Sequence, residues 1–210
     1  MTSTTAGATR RWLLARMAAG LGGVLAGTAL ATDVQRVRLV IAAGAIDIDL
    51  FVREAPLSCG DFLKYVDRRC YDRGSFSRVV RPENDHGTPQ IDVVQGGIRA
   101  DFTPWAPIRL ETTRQTGIRH LDGTISIPRD KPETGSGSEF FICIGAQPSL
   151  DFGGRRNSDG QGFAAFGRVV AGMELVRAIW RMDASGTSTD PYTAGQMLRQ
   201  PVRIVTAFRD

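Results

Sequence analysis

The sequence predicts a mainly β fold: an antiparallel barrel of seven or eight short strands capped by two α-helices. Two observations carry this. Short runs with period-2 alternation recur along the chain, each bounded by Gly, Pro, Asn or Asp. Only two segments show helical spacing, and no strand-helix-strand rhythm repeats, which disfavours a doubly wound parallel sheet. The chain has 210 residues, enough for one domain of ordinary size and a tail.

Residues 37–51 (VRLVIAAGAIDIDLF) alternate on both sides of Gly44. Ile46, Ile48 and Leu50 face one way and Asp47 and Asp49 the other, the pattern of a hairpin with one buried face. Pro56 opens the first helix, SCGDFLKYVDRRC, in which Phe62, Leu63, Val66 and Cys70 follow helical spacing and Ser58 is placed to cap. SFSRVV reads as a strand, residues 81–89 (RPENDHGTP) as a polar loop, and IDVVQGG as a strand ending in a glycine pair. Residues 101–116 are mixed and expected to be extended. HLDGTISIPRD holds a turn and a strand, SEFFICIG a strand, residues 155–162 a loop, and FAAFGRVV a strand. Residues 172–182 place Leu175, Val176, Ile179 and Met182 on one side of a second helix. Residues 185–200 read as irregular, and 201–207 (PVRIVTA) as a closing strand.

The first 31 residues are of another kind. Arg10, Arg11 and Arg16 precede an apolar run of small residues from Met17, and Ala29-Leu30-Ala31 is an A-x-A cleavage pattern. This is the layout of a secretory signal peptide, and the Arg10-Arg11 pair also fits a twin-arginine signal. The apolar run is too short to span a bilayer core of about 30 Å comfortably. The expectation is export to the periplasm as residues 32–210, with an uncleaved anchor as the alternative. Net charge is +4, and cleavage would remove three arginines and no acid, leaving +1. The basic balance therefore lies in the targeting segment. No Lys/Arg block suggests nucleic acid.

Cys59, Cys70 and Cys143 make an odd count, so they cannot all pair within the chain. Cys143 reads as a buried strand residue, while an oxidising compartment permits a Cys59–Cys70 bridge. Their spacing fits no zinc pattern, and the only histidines are His86 and His120, so no metal is expected.

FSRVV, VVQGG, GTISI, GSEFFICIG, PSLD and FAAFGRVVAGMELV occur in that order. Their order and spacing resemble the cyclophilin-type peptidyl-prolyl cis-trans isomerases over nearly all of Val37 to Ala207. The resemblance implies a closed eight-stranded antiparallel barrel capped by two helices, with a groove on its outer face for proline-containing polypeptide. It implies rotation of X-Pro bonds without a cofactor. By motif, Arg78 is the donor to the twisted amide and Gln95 its groove companion. Phe141 floors the proline pocket, while Phe140 packs in the barrel. Val93, Leu150 and Phe163 line the pocket, Ile127 and Pro128 line the adjoining groove, and the Gly135–Ser138 run forms a flexible rim. The chain departs from the family at Ser149, where many members carry tryptophan, and at Phe163, where many carry histidine. The aromatic that usually stands two residues before the position of Val93 falls near Asp92 or shifts into the insertion of residues 81–89, so one wall of the proline pocket is left unassigned. The resemblance implies an isomerase assisting the folding of exported proteins. A non-catalytic module that binds proline peptides is the alternative. Nothing in the sequence asks for a partner chain, and a monomer is expected.

Overall fold

A computed structural model describes residues 1–2, 34–131 and 135–210. Apart from its first two residues, the expected signal peptide lies outside the described residues. Eight antiparallel strands form a closed barrel: β1 (Gln35–Ile41), β2 (Gly44–Leu50), β3 (Ser75–Val80), β4 (Val93–Gly97), β5 (Thr124–Ile127), β6 (Glu139–Cys143), β7 (Ala164–Ala171) and β8 (Met197–Arg209). Their order around the barrel is β1-β2-β7-β5-β6-β4-β3-β8, and β8 pairs back onto β1. Closure leaves no free sheet edge. The first hairpin turns at Ala42-Ala43, one step earlier than the glycine suggests, with Ile41 opposite Gly44.

Alternation fills the barrel. Val37, Leu39, Ile46, Ile48, Leu50, Val94, Ile125, Ile142 and Phe166 point inward and are buried, with Phe62 and Val66 of the first helix packed on them. That helix, α1 (Pro56–Asp67), packs against β7 and β8, and α3 (Met173–Trp180) packs against β2, β3 and β4. Val176 and Ile179 are the buried residues of α3, and Leu175 and Met182 are half-buried against the core.

Several expectations need correction. Ser58 does not cap α1, because position 58 lies inside the helix, one turn too late. The orphan N–H groups are satisfied from a distance: the Glu111 carboxylate accepts from Leu57 N (3.1 Å), Ser58 N (2.7 Å) and Ser58 Oγ (2.7 Å). Cys70 lies beyond the helix, which ends at Asp67. Residues 101–116 are not wholly extended. They end in a single helical turn, α2 (Thr113–Thr116), held by a Thr112/Gln115 capping box. β8 begins at Met197, inside the stretch read as irregular, because Pro201 and polar residues mask its alternation. Cys59 and Cys70 do not pair; all three cysteines are free and buried, and the Cys59 thiol donates to Phe166 O. Burial pushes all three thiols up from their ordinary pKa.

Candidate active site

The site begins with a fault in strand β3. Strict alternation would send Phe76 and Arg78 to the same face. The register shifts between them: Phe76 opposes Gly96, Arg78 opposes Gln95, and Ser77 is the extra residue of a β-bulge. Phe76 therefore enters the core, where it meets Phe140 edge-to-face at 5.6 Å, while Arg78 emerges on the outside. Gly96 makes room for this, since a Cβ there would lie 3.0 Å from Phe140 and 3.1 Å from Phe76.

Cross-strand pairing then sets a row. Arg78 on β3 faces Gln95 on β4, Gln95 faces Phe141 on β6, and Phe141 faces Ser126 on β5. Directly opposed residues share a face. The three residues expected to act on substrate thus lie side by side on the barrel's outer surface. Above and beside them Val80, Ile91, Val93, Phe141, Cys143, Leu150 and Phe163 form a small apolar cluster separate from the main core. A cleft of about 300 Å³ opens over it, lined among others by Arg78, Gln95, Val93, Pro128, Phe141, Leu150 and Phe163.

Arg78 is held on three sides. Its Nη1 donates to Gln95 Oε1 (2.9 Å), and its Nε and Nη2 donate to Gln196 Oε1 (2.9 and 2.6 Å). Gln95 Nε2 in turn donates to Glu139 Oε2 (2.6 Å). Three of the five guanidinium N–H groups are committed, and two on the terminal nitrogens remain for a guest. Burial lowers the Arg78 pKa from its ordinary value, but a guanidinium is still a cation at neutral pH.

Phe141 rests on a polar base. Its ring stacks on His120 at 5.9 Å and meets Phe163 edge-to-face at 5.5 Å. His120 is buried, with Nδ1 2.8 Å from Asp151 Oδ1 and Nε2 3.0 Å from Ser126 Oγ. Burial alone would raise the Asp151 carboxyl. The ring and backbone N–H groups of His120 outweigh it and hold the carboxyl below its ordinary value.

One expected site residue falls elsewhere. Ile127 is 1% exposed and belongs to the barrel core, because β5 alternation turns it inward while Ser126 faces out. Only Pro128 beyond it reaches the cleft. The Gly135–Ser138 run does border the cleft, through Ser136 and Ser138, but it is pinned rather than flexible. Gly137 N donates to buried Asp61 (2.8 Å), Gly137 O accepts from Tyr71 Oη, and Ser136 Oγ lies 3.0 Å from Tyr65 Oη. Gly137 is required there, since a Cβ would sit 2.7 Å from the Phe62 backbone.

Other residues escaped the sequence reading. Ile91 supplies the wall that could not be assigned, from the residue before Asp92. Gln196, fully buried, holds Arg78 from the residue just before β8. Tyr192 and Arg156 complete the cleft from loops whose register no alternation reveals.

The comparisons agree with this geometry. The family model for "Cyclophilin type peptidyl-prolyl cis-trans isomerase/CLD" matches residues 36–207. The chain belongs to the cyclophilin-type isomerase family. "Peptidyl-prolyl cis-trans isomerase A" of Dickeya dadantii is 34% identical over 152 residues, covering 71% of this chain and 73% of the relative. A peptidyl-prolyl cis-trans isomerase of Acinetobacter baylyi is 29% identical over 199 residues, 92% of this chain and 95% of the relative. Among solved structures, a Cryptosporidium parvum cyclophilin, also crystallised in the presence of the dipeptide Ala-Pro, superposes with a TM-score of 0.62. It is 18% identical, and the match covers 84% of this chain and 99% of that one. At that identity the likeness speaks to the fold: an eight-stranded cyclophilin barrel.

Proposed function

We propose that this cyclophilin binds a proline-containing segment in the cleft and turns the X-Pro bond. A peptide bond resists rotation by about 18–20 kcal/mol because twisting breaks amide conjugation. No nucleophile is needed. A catalyst has to favour the twisted amide over the planar one. The apolar cluster of Phe141, Leu150, Val93, Ile91 and Phe163 grips the proline ring. The two uncommitted Arg78 N–H groups meet the prolyl carbonyl and the nitrogen whose lone pair localises as the bond twists. Gln95 holds the guanidinium and offers the peptide backbone a partner. The observation that carries the reading is this half-satisfied guanidinium, fixed in place at the edge of an apolar cleft.

The test is cis-trans exchange of an X-Pro peptide with purified protein, followed by NMR exchange spectroscopy. The parent accelerates exchange. Arg78→Ala keeps the fold and loses on the order of 10²–10³-fold in rate, the range for removing a preorganised donor. Peptide binding without acceleration by the parent would overturn the catalytic reading.

The N-terminal segment supports a setting for this activity: export to the periplasm, with newly translocated proteins as clients. A mature protein starting at Thr32 in the periplasmic fraction is expected. Arg10→Lys with Arg11→Lys blocks export if the twin-arginine route is used. Recovery of the whole chain from Met1 in the membrane fraction would favour the anchor instead.

A further inference from the structure

Three loops outside the barrel meet on the Arg78 side of the cleft. From residues 81–92, the Asp85 carboxylate accepts from Gly87 N (2.9 Å) and Ile91 N (2.8 Å). From residues 155–162, Arg156 forms a two-pronged pair with the same carboxylate, 2.7 Å on each prong, and also donates to Pro89 O (2.8 Å). Both side chains are almost wholly buried, 3% and 0% exposed. A buried guanidinium with its carboxylate partner is a costly element that persists only when the geometry is tight. This one positions something: Arg156 Nη2 donates 2.9 Å to the hydroxyl of Tyr192, which comes from the third loop.

Tyr192 is anchored at its other end too. Its backbone N–H donates to Asp190 Oδ1 (2.9 Å) in a short 3₁₀ turn that starts at Pro191, and Ser188 Oγ lies 2.6 Å from Thr193 Oγ1. Between the two anchors the ring lies over the Arg78 guanidinium, 5.7 Å from its carbon. Yet the residue is 47% exposed and lines the cleft. A ring fixed at hydroxyl, backbone and one face, with the rest open toward a binding cleft, has lost its conformational freedom before any guest arrives. That is the condition under which a contact contributes most to affinity. The wall behind it carries no net charge, because Asp85 neutralises Arg156, so it does not select an acidic guest.

We infer that Tyr192, held by the Asp85–Arg156 pair, is a specificity residue of the cleft: it contacts the side chain beside the proline and favours an aromatic there. The inference rests on the reading of the cleft as a proline-peptide site.

The test measures dissociation constants by NMR titration of the full chain with three short peptides: Ala-Ala-Pro-Ala, Ala-Phe-Pro-Ala and Ala-Ala-Pro-Phe. The parent prefers one of the phenylalanine peptides to the alanine peptide by about three- to tenfold, the range of an aromatic pair. Tyr192→Ala brings that ratio near one, with the phenylalanine peptide losing more affinity than the alanine peptide. Tyr192→Phe, which keeps the ring but loses its anchor to Arg156, keeps the preference at reduced size. A parent without preference, a Tyr192→Ala protein that retains it, or a loss equal for all three peptides would overturn the inference. The last would mean that the ring acts only through Arg78. Failure of all three peptides to bind would overturn the cleft's peptide-binding reading along with it, whereas binding without rate acceleration leaves the affinity ratios to decide on Tyr192.

Discussion

Phe140 and Phe141 are neighbours in the chain and belong to different regions of the molecule. Phe140 is fully buried among Phe62, Tyr71 and Phe76, all within 6 Å between ring centroids and none parallel to it. Phe141 sits on the other face of the same strand, on a base of His120, Asp151 and Ser126, at the floor of a cleft. The barrel interior is closed, apolar and filled by alternation. The cleft cluster is small, borders polar groups, and draws its walls from loops as well as strands. The contrast teaches that the barrel supplies a rigid floor, and that what stands on the floor is decided by chain segments outside it.

The comparison is broken most severely at the two rings themselves. Phe140→Ala is expected to cost about 3–5 kcal/mol of unfolding free energy, read by denaturant titration, because its cavity is walled on all sides. Phe141→Ala costs less stability, since water enters the gap from the cleft, but it weakens peptide binding. Equal stability losses with unchanged binding would erase the distinction between the two faces.

Asp151 sharpens it next. Its carboxyl is held low in the folded state, so its contribution is present above the unfolded value of about 3.9 and is lost as pH falls through the lower, folded value. Asp151→Asn is therefore destabilised by about 1–3 kcal/mol at neutral pH. The gap to the parent narrows as pH falls below about 4, as measured by Tm across a pH series. A gap constant down to pH 2 would mean that the His120 contact adds nothing to the charged form.

Glu111→Ala removes the remote cap of α1. The expected loss is about 1–2 kcal/mol, in stability and with little change in peptide affinity. The smallest effect is chemical silence: with all three thiols buried and held protonated, a thiol reagent leaves the native chain unmodified and titrates three groups only after unfolding.

The two regions were unequally legible in the sequence. Period-2 runs announced the strands and inward residues such as Ile46, Ile48 and Leu50, because each needs only its own neighbours to declare a face, whereas alternation alone left open which of Phe140 and Phe141 turns inward. Arg78, Gln95 and Phe141 could be brought together through the family resemblance, and pairing register places them in one row. What failed was everything set by distant contact. Glu111 caps a helix more than fifty residues away, and Gln196 reaches Arg78 across 118 residues. Ile127 was misplaced for a local reason: the resemblance put it in the groove, whereas the alternation of TISI puts it inside.

The pairing of β1 with β8 bears on what a shortened chain can do. The first and last strands form one seam of the barrel, with Val37 opposite Arg209. A chain without β8 cannot close its sheet, because that strand pairs with both β1 and β3. Gln196, which clasps Arg78 from behind, directly precedes that strand. The isomerase site is therefore complete only when the barrel is closed: a clipped chain that lacks residues 196–209 offers other proteins an open sheet edge and a loose arginine, not a working fold.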